Sequence, residues 1–273
     1  MNKAAIGVVG VGRLGEALAR AMLALPELET LFVTRRSAER VARLCDSDAR
    51  VRPCEPEALL QACDYVVVAL GPDSARELLG PLPFEPRHHV VSVMAEVSLA
   101  ELRQLTDGAG SACRALALPS VVYGGQPLPV YPATPAVEYL FGRTNDLIVT
   151  AGEQELLTFW SITGLLSSVL TIGGVAAQWL EQAGIDKERA EAYARVLFSE
   201  VHGLTADGFE EGLQHVSTPG GLNVMMRERL QKTGLERQLS DGLDQINQRL
   251  LKRPEGLPGP GGSPESPPVS GRS

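Results

Sequence analysis

The sequence predicts a doubly wound α/β domain followed by an all-helical one, and three observations carry that prediction. An apolar run opens the chain and breaks at a glycine-rich turn before a helical pattern. Short β-branched runs then alternate with amphipathic stretches up to Thr150, as parallel strands joined by crossover helices do. Beyond Glu153 the strand signals stop and long helical patterns run to about Leu251. The expected division is a sheet domain at 1–150, a helical domain at 151–251, and a tail at 252–273. The tail is dense in Pro, Gly and Ser, lacks apolar periodicity and is expected to be disordered.

In chain order, Ala4 to Val9 reads as the first strand and Glu16 to Leu23 as the first helix. Between them lies Gly10-x-Gly12-x-x-Gly15. Gly10 suits the tight turn, Gly12 lets backbone approach a pyrophosphate, and Gly15 lets helix pack close to strand. Arg13 and Leu14 open the helix, whose free N–H groups and positive dipole end suit phosphate. Three glycines alone mark only a tight turn. With a strand before and a helix after, they predict a Rossmann-type dinucleotide site.

Pro26 and Glu27 break the pattern, and Thr30 to Val33 is the second strand. An acid at the end of this strand would bond the ribose 2′-OH of NAD(H). Here the strand ends in Thr34-Arg35-Arg36-Ser37, with no acid until Glu39. Two planar, always-charged forks and two hydroxyls suit a 2′-phosphate, so the sequence favours NADP(H) over NAD(H). Ser37 also resembles a helix N-cap, and both roles hold together.

A helix over Ala38 to Leu44, a short strand near Val51 and a helix over Leu59 to Cys63 follow. Asp64 to Leu70 is the continuous apolar run of a parallel strand covered on both faces. Its end, Leu70-Gly71-Pro72, should line the cofactor cleft, because ligands sit at the carboxyl ends of such strands. Val90 to Met94 predicts another strand, Leu99 to Leu105 a helix, and Ala115 to Leu118 a strand running into Pro119-Ser120. The Gly- and Pro-rich segment from Val121 to Pro135 reads as loop or edge strand. Val137 to Phe141 and Leu147 to Thr150 read as the last helix and strand.

The formal charge of −8 argues against nucleic-acid and anionic-membrane partners. Cys45, Cys54, Cys63 and Cys113 lack metal-ligand spacing and read as reduced thiols of a cytoplasmic protein, with no metal site. Met1-Asn2-Lys3 runs straight into the first strand, with no signal-peptide pattern. Leu156 to Leu180 carries no formal charge and is long enough to span a bilayer. Its hydroxyls, Gln178 and flanking acids favour a helix buried between domains or subunits over a membrane span. His88 and His89 precede a strand and are expected to be solvated. His202 and His215 fall in the helical half, where a lone His is a surface group before it is an acid.

Helical patterns at Asp186 to His202 and Thr205 to Leu213 lead to Thr218-Pro219-Gly220-Gly221-Leu222-Asn223, and Val224 to Thr233 is again helical. Such a turn before a helix offers amides and hydroxyls to a carboxylate, or simply caps the helix. On Gly10-x-Gly12-x-x-Gly15, Thr34-Arg35-Arg36-Ser37, Leu140-Phe141, Gly184 to Ala190 and Thr218-Pro219-Gly220-Gly221, the chain to about Leu251 resembles the pyrroline-5-carboxylate reductase family. The resemblance implies an NAD(P)H-dependent enzyme that reduces a small cyclic imine carboxylate, a step of proline biosynthesis. It also implies helical domains that interlock as a homodimer or higher assembly, and a Thr218–Gly221 turn that helps hold the substrate carboxylate, in a cleft between domains.

The departures are specific. Gly71-Pro72 stands where the family has Lys-Pro, and Leu118-Pro119-Ser120-Val121-Val122 where it has Met-Pro-Asn-Thr-Pro. Thr163-Gly164-Leu165-Leu166-Ser167 replaces Gly-Ser-Gly-Pro-Ala, and Asn223 replaces a hydroxyl residue. Candidates for the chemistry are Thr218 and Asn223 with the Gly220 and Gly221 amides at the carboxylate, and Ser120 or Thr163 at the nitrogen. Two alternatives remain: a reductase of another imine or carbonyl, and an NADP-binding sensor or scaffold without turnover.

Overall fold

In the computed structural model, residues 4–251 are described; the tail from 252, expected to be disordered, lies outside them. Eight strands make one sheet: β1 (Ala4–Val9), β2 (Leu28–Thr34), β3 (Val51–Cys54), β4 (Tyr65–Val68), β5 (His89–Ser92), β6 (Ser111–Ala115), β7 (Pro127–Tyr131) and β8 (Asp146–Val149). Their order is β3-β2-β1-β4-β5-β6-β7-β8. The first six are parallel, β7 runs antiparallel to β6, and β8 is parallel to β7. The chain leaves β3 at one edge and re-enters at β4 beside β1, so the winding direction switches between β1 and β4. An open α/β sheet has its ligand crevice at that point.

The connecting helices are α1 (Arg13–Leu23), α2 (Ala38–Ser47), α3 (Pro56–Ala62), α4 (Pro72–Leu79), α5 (Leu99–Leu105) and the single turn α6 (Pro135–Val137), which continues as a wider turn over Glu138–Gly142. The β-branched runs feed two apolar layers by strict alternation. Val67 and Val91 pack with Ile6, Val8, Leu18 and Val33 on one face. Val66, Val68 and Val90 pack with Val9, Leu59 and Leu79 on the other. Both faces are therefore dry, which is why these strands read as continuous apolar runs.

Three local expectations need correction. β6 ends at Ala115, where the sequence placed its start. The run after it, Leu116 and Ala117, is buried beyond the β5 ladder, and the Leu116 N–H donates to the Pro129 carbonyl at 2.8 Å. The Gly- and Pro-rich segment holds β7, which is second from the edge of the sheet and not an edge strand. Pro129 accepts from Leu116, so its missing N–H falls on the β6 side, where the ladder is only two pairs long. Val130 turns its carbonyl the other way, to the Thr150 N–H at 3.1 Å. Finally, His88 is buried, not solvated: its Nδ1 accepts the Glu85 N–H at 2.8 Å, leaving Nε2–H to donate to the Leu60 carbonyl at 2.9 Å.

The described chain divides into two compact units, residues 4–159 with 250–251 and residues 160–249. The first unit thus extends beyond Thr150. The uncharged stretch is two helices, α7 (Glu153–Ile162) and α8 (Leu165–Gln182), and not one. The Thr163 hydroxyl donates to the Trp160 carbonyl at 2.7 Å and ends α7. Within the second unit, α8 packs on α9 (Lys187–Leu204), with Gly173 against the Phe198 ring. Asp186 caps α9 by accepting the Arg189 N–H at 3.0 Å. α10 (Phe209–His215), α11 (Leu222–Lys232) and α12 (Leu235–Leu251) complete it. Few side chains are buried here, Ala177, Ala190 and Ala194 among them. Leu170, Val175, Trp179, Tyr193 and Leu197 are exposed.

Candidate cofactor-binding site

At the carboxyl ends of β1, β2 and β4 lies a cleft of about 730 Å³. Its floor is the glycine turn. Gly10 has φ +94°, a conformation open to glycine, and a Cβ there would run into the Ala69 carbonyl oxygen. A Cβ on Gly15 would run into the Gly10 carbonyl oxygen, so this glycine permits α1 to sit on β1. Gly12 differs: nothing in the chain lies within 4 Å of where its Cβ would be. The fold itself does not require a glycine at this position, whereas a phosphate approaching the backbone at the start of α1 does. Arg13, the first residue of α1, is exposed, and Leu14 after it is half-buried and packs against the core.

The wall on the β2 side is Thr34, Arg35, Arg36 and Ser37. Thr34 is buried, and its Oγ1 accepts the Gly10 N–H at 3.0 Å, tying the glycine turn to β2. Arg35 donates to the Pro53 carbonyl at 3.0 Å and stands 3.9 Å from Glu55. Arg36 crosses to α4, donating to the Ser74 hydroxyl at 2.8 Å. Both guanidiniums are exposed. The neighbouring arginines are already engaged: Arg40 and Arg43 reach Glu16 at 2.9 and 3.1 Å, and Arg20 reaches it at 3.2 Å. Hydrogen bonds from Arg43, then Arg40 and Arg20, hold the Glu16 carboxyl down at about 2, against the opposing effect of burial. That division leaves Arg35 and Arg36 as the cations facing the cleft. The opposite wall is Ala69, Leu70 and Gly71, with Ser74, Glu77 and Leu78 of α4. Gly71 caps α4 and Pro72 is its first residue, where a missing N–H costs nothing.

Ser120 does not line this cleft. It sits in a short 3₁₀ turn over Pro119–Tyr123, and its hydroxyl donates to Gln126 Oε1 at 3.3 Å. Thr163, Thr218, Gly220, Gly221 and Asn223 belong to the second unit. There Thr218 to Gly221 form a tight turn closed by the Gly221 N–H on the Thr218 carbonyl at 2.8 Å, with Gly220 at φ +72°. Proline followed by a positive-φ glycine is the pattern of a type II turn. Asn223, in the first turn of α11, donates back to the Val216 carbonyl at 3.2 Å. Thr218, Gly220 and Asn223 are exposed, as is His215.

Two features escaped the sequence reading. Arg114 on β6 is buried and ion-paired with Glu153 at the start of α7, with no local pattern to announce it. Ser74 and Glu77 enter the cleft only because α4 leans over it. Burial pushes the Cys63 thiol up to about 12 and the Cys113 thiol up to about 11, and raises Cys54, which disfavours their thiolates.

The family described as NADP oxidoreductase, coenzyme F420-dependent, matches residues 5–96, the part that holds the cleft. No curated protein sequence matches the chain. Among solved structures, 1-pyrroline-5-carboxylate reductase from Streptococcus pyogenes superposes with a TM-score of 0.72 at 17% identity, covering 92% of this chain and 99% of that one. Plasmodium falciparum pyrroline carboxylate reductase, solved with NADP bound, gives 0.72 at 15% identity, covering 92% and 98%. A reductive aminase from Aspergillus terreus, in complex with NADPH and ethyl-5-oxohexanoate, gives 0.53 at 17%, covering 75% and 74%. Over nearly its whole described length, then, the chain has the fold of the pyrroline-5-carboxylate reductases: a doubly wound sheet unit followed by an all-helical one.

Proposed function

We propose that this protein is an NADP(H)-dependent oxidoreductase that reduces the C=N bond of a small cyclic imine carboxylate, in the manner of the pyrroline-5-carboxylate reductases. The carrying observation is the cleft in which Gly12 leaves open space at the start of α1 while Arg35 and Arg36 form the adjoining wall, Arg36 on the Ser74 hydroxyl and Arg35 on the Pro53 carbonyl with Glu55 3.9 Å away. Arg35 and Arg36, with Ser37, would hold the 2′-phosphate, and the amides from Gly12 to Gly15 the pyrophosphate. Bound there, the cofactor supplies the hydride; the protein's part is to orient the imine and exclude water. The cofactors bound in the similar structures, NADP in one and NADPH in another, support this choice.

For the substrate end we assign Thr218, Gly220, Gly221 and Asn223 to the carboxylate, and Thr163 or Ser120 to the nitrogen. The turn before α11 presents amides at a positive helix end. Asn223 offers an amide where the family has a hydroxyl, which supports an imine other than that of the proline enzyme. The functional form we propose is a cytoplasmic homodimer closed over the exposed side chains of α8 and α9. Residues 153–182 are also long and apolar enough to cross a bilayer, although the break at Thr163 interrupts them.

The test is NADPH absorbance with five- and six-membered cyclic imine carboxylates, against matched ketones. Turnover of at least one imine acid, with NADPH preferred to NADH, is expected. In Arg35→Ala/Arg36→Ala, NADPH affinity should fall about tenfold or more while NADH affinity barely moves, the scale of losing charge-assisted pairs. Tight NADPH binding with no turnover on the panel would identify a sensor or scaffold. Turnover of the ketones alone would identify a carbonyl reductase.

A further inference from the structure

Arg114 is among the largest fully buried side chains of the molecule, 1% exposed. Its Nη2 donates to two successive carbonyls just beyond β5, Met94 at 2.9 Å and Ala95 at 2.8 Å. Its Nη1 donates to Glu153, whose same oxygen accepts the Leu99 N–H, the first of α5, at 2.6 Å. One guanidinium and one carboxylate thus fix both ends of the turn from Met94 to Leu99.

Stability does not explain this arrangement. Withdrawing a guanidinium from water costs several kcal/mol, and an apolar side chain of similar volume in such a place is commonly neutral or stabilising. Burial lowers the Arg114 pKa, and the hydrogen bond and charge of Glu153 oppose that effect. What the pair supplies is direction. In a trans peptide the C=O and the following N–H point oppositely. Turning the Met94 and Ala95 carbonyls onto Arg114 therefore turns the Ala95 and Glu96 N–H groups away from it.

Strand order says where this turn lies relative to the cleft. The 2′-phosphate wall is at the end of β2, the glycine turn at the end of β1, and Leu70 and Gly71 at the end of β4. The next strand in line is β5, and the turn it feeds is Met94–Leu99. A dinucleotide anchored at β2 and β1 and continuing in the same direction, at about 4.8 Å per strand, reaches β5 with its nicotinamide half.

We propose that Arg114, oriented by Glu153, is a positioning residue for the nicotinamide half of the cofactor: it holds the Met94–Leu99 turn in the conformation that receives that half. The inference rests on the cofactor reading above. The test is calorimetric titration of the full chain with NADPH and with adenosine 2′,5′-bisphosphate, which carries only the 2′-phosphate end. Arg114→Met/Glu153→Gln removes both charges together. It should lose tenfold or more in NADPH affinity, keep its bisphosphate affinity within about twofold, and melt within a few degrees of the native protein. Should the double variant fail to fold, Glu153→Gln alone, which keeps an acceptor for both donors, should show the same selective loss to a smaller degree. Equal weakening of both ligands, or unchanged NADPH affinity, overturns the proposal. A native protein that binds neither ligand overturns the cofactor reading, and this inference with it.

Discussion

The three glycines of the first turn look equivalent in the sequence and are not. Gly15→Ala must push the Gly10 carbonyl away and should cost stability, about 1–3 kcal/mol, with cofactor affinity falling only as the fold loosens. Gly12→Ala should melt like the native protein while NADPH affinity drops several-fold, because its methyl enters the cleft and not the core. Thermal melts beside NADPH titrations check the pair; equal melting losses in both variants would refute the division. Glu16 permits a prediction with a sign. Its folded pKa lies at about 2, below the ordinary 4.5, so its contribution is present above 4.5 and is lost as pH falls toward 2. Glu16→Gln should lower stability at neutral pH and flatten the decline between those values, as denaturant melts at stepped pH would show. That Gly10, Gly12, Gly15, Arg35 and Arg36 gather at one turn was legible in the sequence because their placement is local, set by a few adjoining residues. Arg114 was not, because its meaning depends on carbonyls twenty residues earlier and an acid on another element.

Elements were legible in proportion to how far their own side chains dictate them. β1 and β4 announce themselves through β-branched residues buried on both faces. β7 does not, since Pro127 and Pro129 argue against an interior strand; their lost donors are tolerated because they face a two-pair ladder. The division of Leu156–Leu180 was hidden for a similar reason: Thr163 reads as one more hydroxyl until it caps the Trp160 carbonyl. On α8, Leu170 is 76% and Trp179 67% exposed. Leu170→Asp with Trp179→Asp should convert a dimer to a monomer at micromolar concentration, with the sheet unit's circular dichroism retained. Light scattering checks this. A native protein already monomeric, or a double variant still dimeric, would move the proposed interface off α8. Recovery of the native chain only with detergent would return the stretch to the bilayer.

At the scale of the molecule, the alternation of strand and helix predicted the doubly wound sheet, and the cessation of strand signals predicted the helical half. The helical half's packing was less legible, because few of its side chains are buried within the described chain, and the period of its helices points to faces without saying what covers them. One of its contacts has a consequence for biosynthesis. Gly164, the residue before α8, packs against Ile246 near the end of α12, so close that a methyl there would stand 2.5 Å from the Ile246 Cδ1. The sheet strands are complete by Val149 and depend mostly on neighbours already synthesised, so they can assemble while the ribosome is still translating. The first turn of α8 cannot find its seat until nearly the last helix has emerged. Until then Gly164 lacks its Ile246 contact, so the helical half completes its packing only after α12 is made, however early the sheet has formed.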